Sequence, residues 1–231
     1  MNYEELQSLC SSFIKLDEGM IKKFSSYSSL LKEWNEKMNL TSITEESEVI
    51  EKHFYDCLLP LKYVDLHSKR VADIGSGAGF PGLVWAICYP SSTFYLVEPT
   101  KKRCLFLEEV CKELELNNVK IINKRAEELP YRDSFDLVSA RAVAPLPILL
   151  EISSPFAKIG GLVLAMKGLK GKEELRESKN AMSTLSLKLL SVNEDSLPNL
   201  EGERINILFK KNGPTQRKYP RAWADIEKKP L

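Results

Sequence analysis

A glycine-rich turn between a short apolar strand and an apolar helix constrains the fold of this chain most strongly. The stretch reads Val71-Ala-Asp-Ile-Gly-Ser-Gly-Ala-Gly-Phe-Pro-Gly82, and the apolar residues 83–87 follow it directly. Glycine lets backbone N–H groups and a helix N-terminus come close to a ligand, because no Cβ stands in the way. The turn therefore predicts a nucleotide-type site at the carboxyl edge of the first strand of an α/β sheet.

The register of the glycines bears on which ligand such a site takes. Read from Gly77, the residues match the dinucleotide-binding pattern G-x-G-x-x-G. In that fold the first glycine follows the strand directly, as Gly75 does here, and the sixth position is then the bulky Phe80. The register from Gly75 resembles motif I of the class I S-adenosylmethionine-dependent methyltransferases. A glycine-rich turn with no ligand is the alternative interpretation.

Strands and helices alternate from residue 69 onward, and this alternation predicts an α/β fold with a mostly parallel sheet. Three further strands are predicted at 93–97, 119–122 and 135–139, and the stretch 158–166 is interpreted as a turn into a fifth strand that ends at Lys167-Gly168. A lysine-rich helix is predicted over 170–181. The last two predicted strands, 187–192 and 204–209, read as a closing antiparallel pair joined by a loop that contains Pro198 and Gly202.

The chain is predicted to have three parts: a helical extension over 1–68, a core over 69–211 and a basic tail over 212–231. In the extension, Asp17 is an N-cap residue followed by six apolar residues at helical spacing: Met20, Phe24, Tyr27, Leu31, Trp34 and Met38. These residues share one helix face. We expect that face to pack against the core, with a coiled coil as the alternative.

Composition excludes several classes of site and partner. With 33 Lys plus Arg against 32 Asp plus Glu, only a local basic patch can indicate nucleic acid. The five cysteines form no C-x-x-C pair, which indicates a reducing compartment. Of two histidines, His53 lies among apolar neighbours, where a structural role is usual and a functional one the alternative. We expect a cytoplasmic monomer with no metal and no membrane contact.

Three charged residues follow predicted strands at the edge where the glycine turn lies. Glu98 comes 19 residues after Gly79, close to the spacing at which an acidic side chain meets a ribose hydroxyl. S-adenosylmethionine and NAD both offer that contact. Glu127, after the third strand, is placed for an adenine edge or is an exposed surface glutamate. Arg141 leaves the fourth strand toward the same crevice, either as a ligand or substrate contact or as a solvated arginine.

The C-terminal stretch from Lys210 changes in character. It contains seven Lys or Arg against Asp225 and Glu227, a net charge of +5, with Tyr219 and Trp223 among them. Basic groups pair with phosphates, and aromatic rings stack on unpaired bases. These residues predict a nucleic-acid contact, and we expect 210–223 to lie beside the crevice. A solvated terminal tail is the alternative.

Five motifs occur in a fixed order along nearly the whole chain. They are Asn39-Leu-Thr-Ser-Ile43, the His-Phe-x-Asp of 53–56, the glycine turn, Ser139-Ala-Arg-Ala-Val-Ala144 and Arg217-Lys-Tyr-Pro-Arg221. Together they resemble the bacterial small-subunit ribosomal RNA methyltransferase G family, also called glucose-inhibited division protein B. The resemblance implies a class I methyltransferase, Rossmann-like fold with a seven-stranded sheet. It also implies S-adenosylmethionine as cofactor and methylation of N7 of a guanine in the 530 loop of 16S rRNA.

The resemblance further implies which residues form the site. Cofactor contacts are implied at Gly75, Phe80, Ala126, Glu127 and Arg141, with Gly77 and Gly79 in the same loop and Glu98 at the ribose position. Contacts to 16S rRNA or the 30S subunit are expected at Arg217, Lys218, Tyr219 and Arg221. Arg141 and His53 are the candidates for positioning the substrate. In the tail, Ala222-Trp-Ala-Asp225 departs from the Gly and Pro with which the family usually continues, so the path of the last ten residues stays open.

The chemistry of that reaction agrees with the residue types present. Guanine N7 has an exposed lone pair and no proton to remove, so proximity and in-line alignment should supply most of the acceleration. No Asn/Asp-Pro-Pro-aromatic sequence follows strand four, and no cysteine lies at 139–146 or 167–170 for covalent attack on a pyrimidine. Two other classes stay open: an NAD-dependent oxidoreductase, and a non-catalytic RNA-binding module with a retained methyltransferase fold.

Overall fold

A seven-stranded sheet organises the protein in a computed structural model that describes residues 1–199 and 202–231. Its strands are β1 (Arg70–Ile74), β2 (Thr93–Val97), β3 (Val119–Ile122), β4 (Phe135–Arg141), β5 (Ala157–Lys167), β6 (Leu187–Ser196) and β7 (Glu203–Lys211). The order across the sheet is β3-β2-β1-β4-β5-β7-β6. All strands run in one direction except β7, which is antiparallel to both β5 and β6. The predicted mostly parallel sheet and its antiparallel pair are confirmed. The loop predicted between those last two strands includes 200 and 201, which lie outside the described residues.

Ten helices accompany the sheet in the described ranges. They are α1 (Tyr3–Cys10), α2 (Glu18–Met38), α3 (Glu46–Val49), α4 (Asp56–Leu58), α5 (Gly82–Cys88), α6 (Lys101–Glu113), α7 (Leu146–Ser153), α8 (Gly171–Glu177), α9 (Lys179–Thr184) and α10 (Trp223–Lys228). A π-helical turn, Ile50–Tyr55, joins α3 to α4, and the 3-10 turn Leu59–Lys62 follows, so residues 46–62 are one helical segment. The predicted helix 170–181 is divided at Ser178, whose hydroxyl donates to the carbonyl of Glu174 (2.7 Å).

The long helix α2 ties the N-terminal extension to the sheet. Its N-cap Asp17 accepts a hydrogen bond from the amide of Met20 (2.8 Å), as the sequence predicted. The fully buried Tyr27 reaches the glycine turn, where its ring stacks on that of Phe80 with centroids 5.3 Å apart. The predicted apolar face therefore packs against the core, and the coiled-coil alternative is wrong.

Two hydrophobic clusters lie on the two faces of the sheet. The first joins the N-terminal extension to α5 and α6, and the second contains α7, α9 and α10. Tyr219 and Ile226, from the C-terminal tail, are buried in the second cluster. Within the described ranges, no helix is long and apolar enough to cross a membrane.

Candidate functional site

The glycine turn after β1 is held tightly against the end of β2. Gly75, Gly77 and Gly79 have φ angles of +69°, +58° and +97°, which side chains with a Cβ rarely adopt. The amides of Gly75 and Ser76 donate to the carbonyl of Val97 at 2.8 and 3.1 Å. The amide of Gly77 donates to Oε2 of Glu98 at 3.0 Å. The turn is therefore a fixed loop at the carboxyl edge of the sheet.

Close packing of helix α5 on the sheet occurs at Gly82. A Cβ at this position would overlap the side chain of Leu96. The Gly82 amide donates to Oδ2 of Asp73 (3.1 Å), whose Oδ1 accepts from the hydroxyl of Ser139 (3.1 Å). Burial raises the pKa of Asp73 to about 7. In the dinucleotide-binding fold, a glycine at the sixth position lets the helix pack closely on the strand, and Phe80 stands at that position here. Gly82 allows the same close packing, so the register of the glycines alone does not distinguish a dinucleotide from S-adenosylmethionine.

An apolar cavity of about 200 Å³ opens beside the glycine turn. Its walls come from the ends of four strands and from the C-terminal tail, and include Gly75, Val97, Ala126, Glu127, Val143 and Trp223. The structure thus brings together three predicted cofactor residues from separate parts of the chain. We call this space the apolar cavity.

Glu98 closes the glycine turn from the end of β2. Its side chain is buried, and besides the Gly77 amide it accepts from the amide of Thr100 through Oε1 (2.8 Å). The guanidinium of Arg103 lies 3.8 Å from Oε2. Both oxygens keep a further lone pair, because each accepts only one of these short bonds. The carboxylate is therefore held rigidly and retains capacity for a ribose hydroxyl.

A second, polar cavity of about 390 Å³ lies between the ends of β4 and β5 and the helical segment 46–62. Its charged and polar lining consists of Lys52, His53, Asp56, Arg141, Lys167, Glu174, Arg204 and Asn206. Four of these side chains are cationic and two are carboxylates. This space, the polar cavity, therefore favours a polar, electron-rich ligand.

Arg141 lies in the polar cavity and not in the apolar one. Its Nη1 donates to Oδ2 of Asp56 (2.9 Å) and to the carbonyl of Lys52 (3.1 Å), and its guanidinium lies 5.3 Å from the centre of the Phe80 ring. The other oxygen of Asp56 accepts from Nε of Arg204 (2.8 Å). Arg141 is therefore no solvated arginine, and its side chain is separated from the Gly75, Ala126 and Glu127 set with which it was predicted.

The loop that leaves β4 forms a wall of both cavities. Arg141 and Ala142 line the polar cavity, and Val143, the next residue, lines the apolar one. Ala142 has a φ of +56°, in the left-handed region that residues with a Cβ seldom occupy. Such conformations concentrate at functional sites because surrounding structure has to hold them there. The left-handed conformation of Ala142 thus places the side chain of Arg141 in the polar cavity and that of Val143 in the apolar cavity.

His53 is a neutral, fully bonded residue at the boundary of the polar cavity. Its ring stacks on Phe80 with centroids 4.3 Å apart. Nη2 of Arg141 donates to Nδ1 (3.3 Å), so Nε2 carries the proton and donates to Oγ1 of Thr41 (3.1 Å). Burial, together with the charge of Arg141, lowers the pKa of His53 to about 3. The imidazole therefore orients Arg141 and Thr41 and carries no charge near neutral pH.

We expect the variant His53→Gln to change how stability depends on pH. Below the unfolded-state pKa of 6.5 the unfolded chain binds a proton at His53, whereas the folded chain stays neutral down to about pH 3. The unfolding free energy of the parent protein therefore falls with decreasing pH, by about 3 kcal/mol from this group at pH 4.5. Urea unfolding of both proteins from pH 7 to 4.5 measures the difference. The raised pKa of Asp73 makes the unfolding free energy rise with decreasing pH. Both proteins contain Asp73, so this contribution is absent from the difference between them. Parallel curves would contradict the prediction.

The structure corrects the role predicted for Tyr219 and gives Arg221 a partner inside the protein. Tyr219 is buried in the second cluster, so its ring cannot stack on a base. Arg221 donates from Nε and Nη2 to the two oxygens of the fully buried Glu151, at 2.8 and 2.6 Å. The positive charge of Arg221 is therefore paired with a buried carboxylate inside the protein. Arg217 and Lys218 are exposed, as the predicted contact to phosphates requires.

Two residues of the polar cavity were missed by sequence reasoning: Asp56, which was noted only within the His-Phe-x-Asp motif, and Arg204. The bond between them joins residues 148 apart, which no local pattern reveals. Trp223 belongs to the stretch 210–223 that was expected beside the crevice, and it lines the apolar cavity. Among the described residues, no group of three or more His, Cys, Asp or Glu side chains is placed to hold a metal ion.

Comparison with known proteins identifies relatives along nearly the full chain. The family model for rRNA small subunit methyltransferase G, GidB, matches residues 20–201. Ribosomal RNA small subunit methyltransferase G of Desulfitobacterium hafniense is 46% identical over 222 residues, which cover 94% of this chain and 92% of that protein. The protein of the same description from Staphylococcus saprophyticus is 42% identical over 229 residues, 97% of this chain and 96% of its own.

Solved structures resemble this chain in fold. M. jannaschii TYW2 in complex with AdoMet superimposes with a TM-score of 0.59 at 18% identity, covering 74% of this chain and 79% of that one. The YcgJ protein from Bacillus subtilis gives a TM-score of 0.57 at 16% identity, covering 70% of this chain and all of that one. At such identities the likeness concerns the fold alone, and it confirms the predicted class I methyltransferase fold.

Proposed function

The chain belongs to the rRNA small subunit methyltransferase G family, and from this premise we propose that it methylates N7 of guanine 527 of 16S rRNA. Membership in this family makes the chain an rRNA methyltransferase. The position and the atom that is methylated form the proposal. The cofactor is S-adenosylmethionine, which supplies, when bound, a methyl group activated on a sulfonium centre.

The residues around the apolar cavity fit this cofactor. A Cβ at Gly75 would meet Cγ2 of Val143 at 2.7 Å, so only glycine lets the Val143 side chain lie directly against the turn in the wall of the cavity. Glu98, which is buried at the end of β2 and is not among the residues that line the cavity, keeps a lone pair on each oxygen, and we assign these to a ribose hydroxyl. Ala126 and Glu127 line the same cavity, one apolar and one with a carboxylate for the edge of a base. Together they suit an adenosine.

The observation that carries the proposal is the wall shared by the two cavities. Arg141 and Ala142 line one space and Val143 the other, so a cofactor and an acceptor base can bind on either side of a single loop. Methyl transfer needs the acceptor atom in contact and in line with the breaking bond, so we place the sulfonium end of the cofactor and the acceptor base together at this shared loop. Two clefts on different edges of the sheet would not bring the acceptor atom to the breaking bond.

Guanine N7 fits the polar cavity and requires no general base. N7 and O6 accept hydrogen bonds along one edge of guanine, and paired donation from arginine to that edge is the commonest specific base contact. Methylation needs the N7 lone pair free, so we assign the cations to O6 and the phosphates. Arg141 and His53 are positioning residues: His53 is neutral and already bonded on both ring nitrogens.

Mixing the protein with tritiated S-adenosylmethionine and locating the label on RNA tests this function. Naked 16S rRNA and intact 30S subunits form two arms, and nuclease mapping followed by nucleoside analysis identifies the labelled atom. We expect 7-methylguanosine from the 530 loop. Label elsewhere in 16S rRNA would overturn the position but not the family. No label despite cofactor affinity would indicate the non-catalytic module, and NADH binding without affinity for S-adenosylhomocysteine the oxidoreductase.

We propose that Arg217 and Lys218 contact rRNA phosphates, because both are exposed on the tail that borders the apolar cavity. Each phosphate contact releases counterion, so losing one cation should reduce the slope of log affinity against log salt by about one unit. RNA binding by Arg217→Ala and Lys218→Ala across a salt series measures this slope. The control is Lys69→Ala, an exposed lysine at the opposite edge of the sheet. Equal slopes in all three variants would place the RNA elsewhere.

A further inference from the structure

The C-terminal residues 212–231, here called the docked tail, are anchored to the core at two points. At the first, the guanidinium of Arg132 donates to three backbone carbonyls of the tail. Nη2 lies 3.1 Å from the oxygen of Thr215 and 3.3 Å from that of Gln216, and Nη1 bonds the oxygen of Tyr219 at 2.5 Å. One planar donor group thus fixes five consecutive residues of chain.

The second anchor is the paired bond between Arg221 and Glu151. Both side-chain bonds are short, 2.8 and 2.6 Å, and the amide of Arg221 adds a third to Oε1 at 3.0 Å. Glu151 lies on α7 with no exposed surface. A carboxylate buried in an apolar helix requires such a cation, and the two-pronged geometry fixes its direction as well as its distance. The backbone at 221 is therefore set within narrow limits.

Trp223 follows the second anchor by two residues and lines the apolar cavity. It begins α10, which Ile226 holds to the core with no exposed surface. Gly75, Val97, Ala126 and Val143 line the same cavity. An indole that shares a cavity with small apolar groups suits a flat, π-rich ligand ring.

We propose that Trp223 is a cofactor-binding residue against which the adenine of S-adenosylmethionine packs, and that the Arg221–Glu151 pair positions it. This inference rests on the proposed function. Tryptophan stands here where the family resemblance leads us to expect Gly and Pro after Tyr-Pro-Arg. The contact is therefore a property of this chain's own tail. It also gives the tail a role in cofactor binding separate from its exposed cations.

Calorimetric titration of the full-length protein with S-adenosylhomocysteine tests Trp223 directly. We expect Trp223→Ala to raise Kd on the order of tenfold, since aromatic stacking on a base contributes that much or more. Trp223→Phe should keep most of the affinity. 5′-Methylthioadenosine has the adenine but lacks the amino-acid group. Its affinity for Trp223→Ala should fall by the same factor as that of S-adenosylhomocysteine. The control is Trp34→Phe, whose ring packs on Phe106 and does not line the cavity.

Intrinsic fluorescence provides a readout that tolerates a loss of stability in the alanine variant. The chain has three tryptophans, at 34, 85 and 223. Quenching by S-adenosylhomocysteine should disappear in Trp223→Phe and persist in Trp34→Phe. For the positioning pair, Arg221→Ala should raise KM for S-adenosylmethionine while kcat stays within about twofold, and Arg221→Lys should recover part of the loss.

The outcomes separate this inference from the function on which it rests. If the parent protein binds S-adenosylhomocysteine and Trp223→Ala binds it equally well with quenching unchanged, the role of Trp223 is overturned and the function stands. If the parent protein binds no S-adenosylhomocysteine, both the role of Trp223 and the proposed function are overturned. A tenfold loss for S-adenosylhomocysteine with none for 5′-methylthioadenosine would move the contact from adenine to the amino-acid end and would also overturn the assignment.

Discussion

Replacing Gly75 with tryptophan is expected to abolish both S-adenosylhomocysteine binding and rRNA methylation. A Cβ at Gly75 would lie 2.7 Å from Cγ2 of Val143, and any larger side chain extends into the apolar cavity that the cofactor needs. The φ of +69° adds a backbone cost of about 1 kcal/mol for any residue other than glycine. Calorimetry and the tritium transfer assay give the two readouts.

Gly160 provides a matched control for this variant. It has a φ of +82°, so tryptophan there meets a similar backbone cost, but no atom lies within 4 Å of an added Cβ. Gly160→Trp should therefore lose the stability that the backbone conformation costs, without the overlap with Val143 that Gly75→Trp adds, and keep both cofactor affinity and activity. Equal loss of binding in the two variants would show that backbone strain, and not a filled cavity, causes the effect. Full binding in Gly75→Trp would remove the glycine turn from the cofactor site.

The sheet and the glycine turn could be predicted because their signals are local. An apolar run that ends in glycine marks β1, and β2 and β3 were predicted with the bounds that the structure has. The N-cap at Asp17 and the apolar face of α2 are likewise set within a few turns of chain. Alternation of such elements then leaves few topologies for a parallel sheet.

The polar cavity could not be predicted, because its contacts join distant parts of the chain. Asp56 and Arg204 are 148 residues apart, and Arg141 meets His53 across 88. Each is an ordinary charged or polar residue in its own segment. Only the fold, which places the helical segment 46–62 over the ends of β4 and β5, makes them neighbours.

The anchoring of the docked tail by Arg221 was missed, although the sequence contained a usable signal. Counting charges treats every arginine as available to a ligand. Helix α7 reads Leu-Pro-Ile-Leu-Leu-Glu-Ile-Ser, in which Glu151 is the one charged residue among apolar ones. A carboxylate in such a helix is buried and needs a cation, because an unpaired buried charge is very costly. That requirement predicts a partner, and Arg221 supplies it.

Removing the carboxylate of Asp56, which is buried between two arginines, is expected to cause a large loss of stability. Its two oxygens accept from Arg141 (2.9 Å) and Arg204 (2.8 Å), and its side chain is 8% exposed. Asp56→Ala leaves two guanidinium groups facing each other with no anion between them. Breaking such a pair by removing one partner costs about 3 kcal/mol, which for a chain of this size lowers Tm by roughly 6–12 °C.

Thermal unfolding together with rRNA methylation measures this effect. Activity should fall as well, since Arg141 loses one of the contacts that hold it over Phe80. Glu194→Ala is the control, because it removes a carboxylate from an ion pair with Lys172 that is about half exposed on both sides. Exposed pairs contribute roughly 0–1 kcal/mol, so the control should change Tm little.

A double variant distinguishes charge repulsion from lost packing. If the two unpaired cations cause the loss, Asp56→Ala combined with Arg204→Met should be more stable than Asp56→Ala alone, because one of them is gone. If lost packing causes it, the two substitutions should add. Additive losses would therefore contradict the electrostatic account of this cavity.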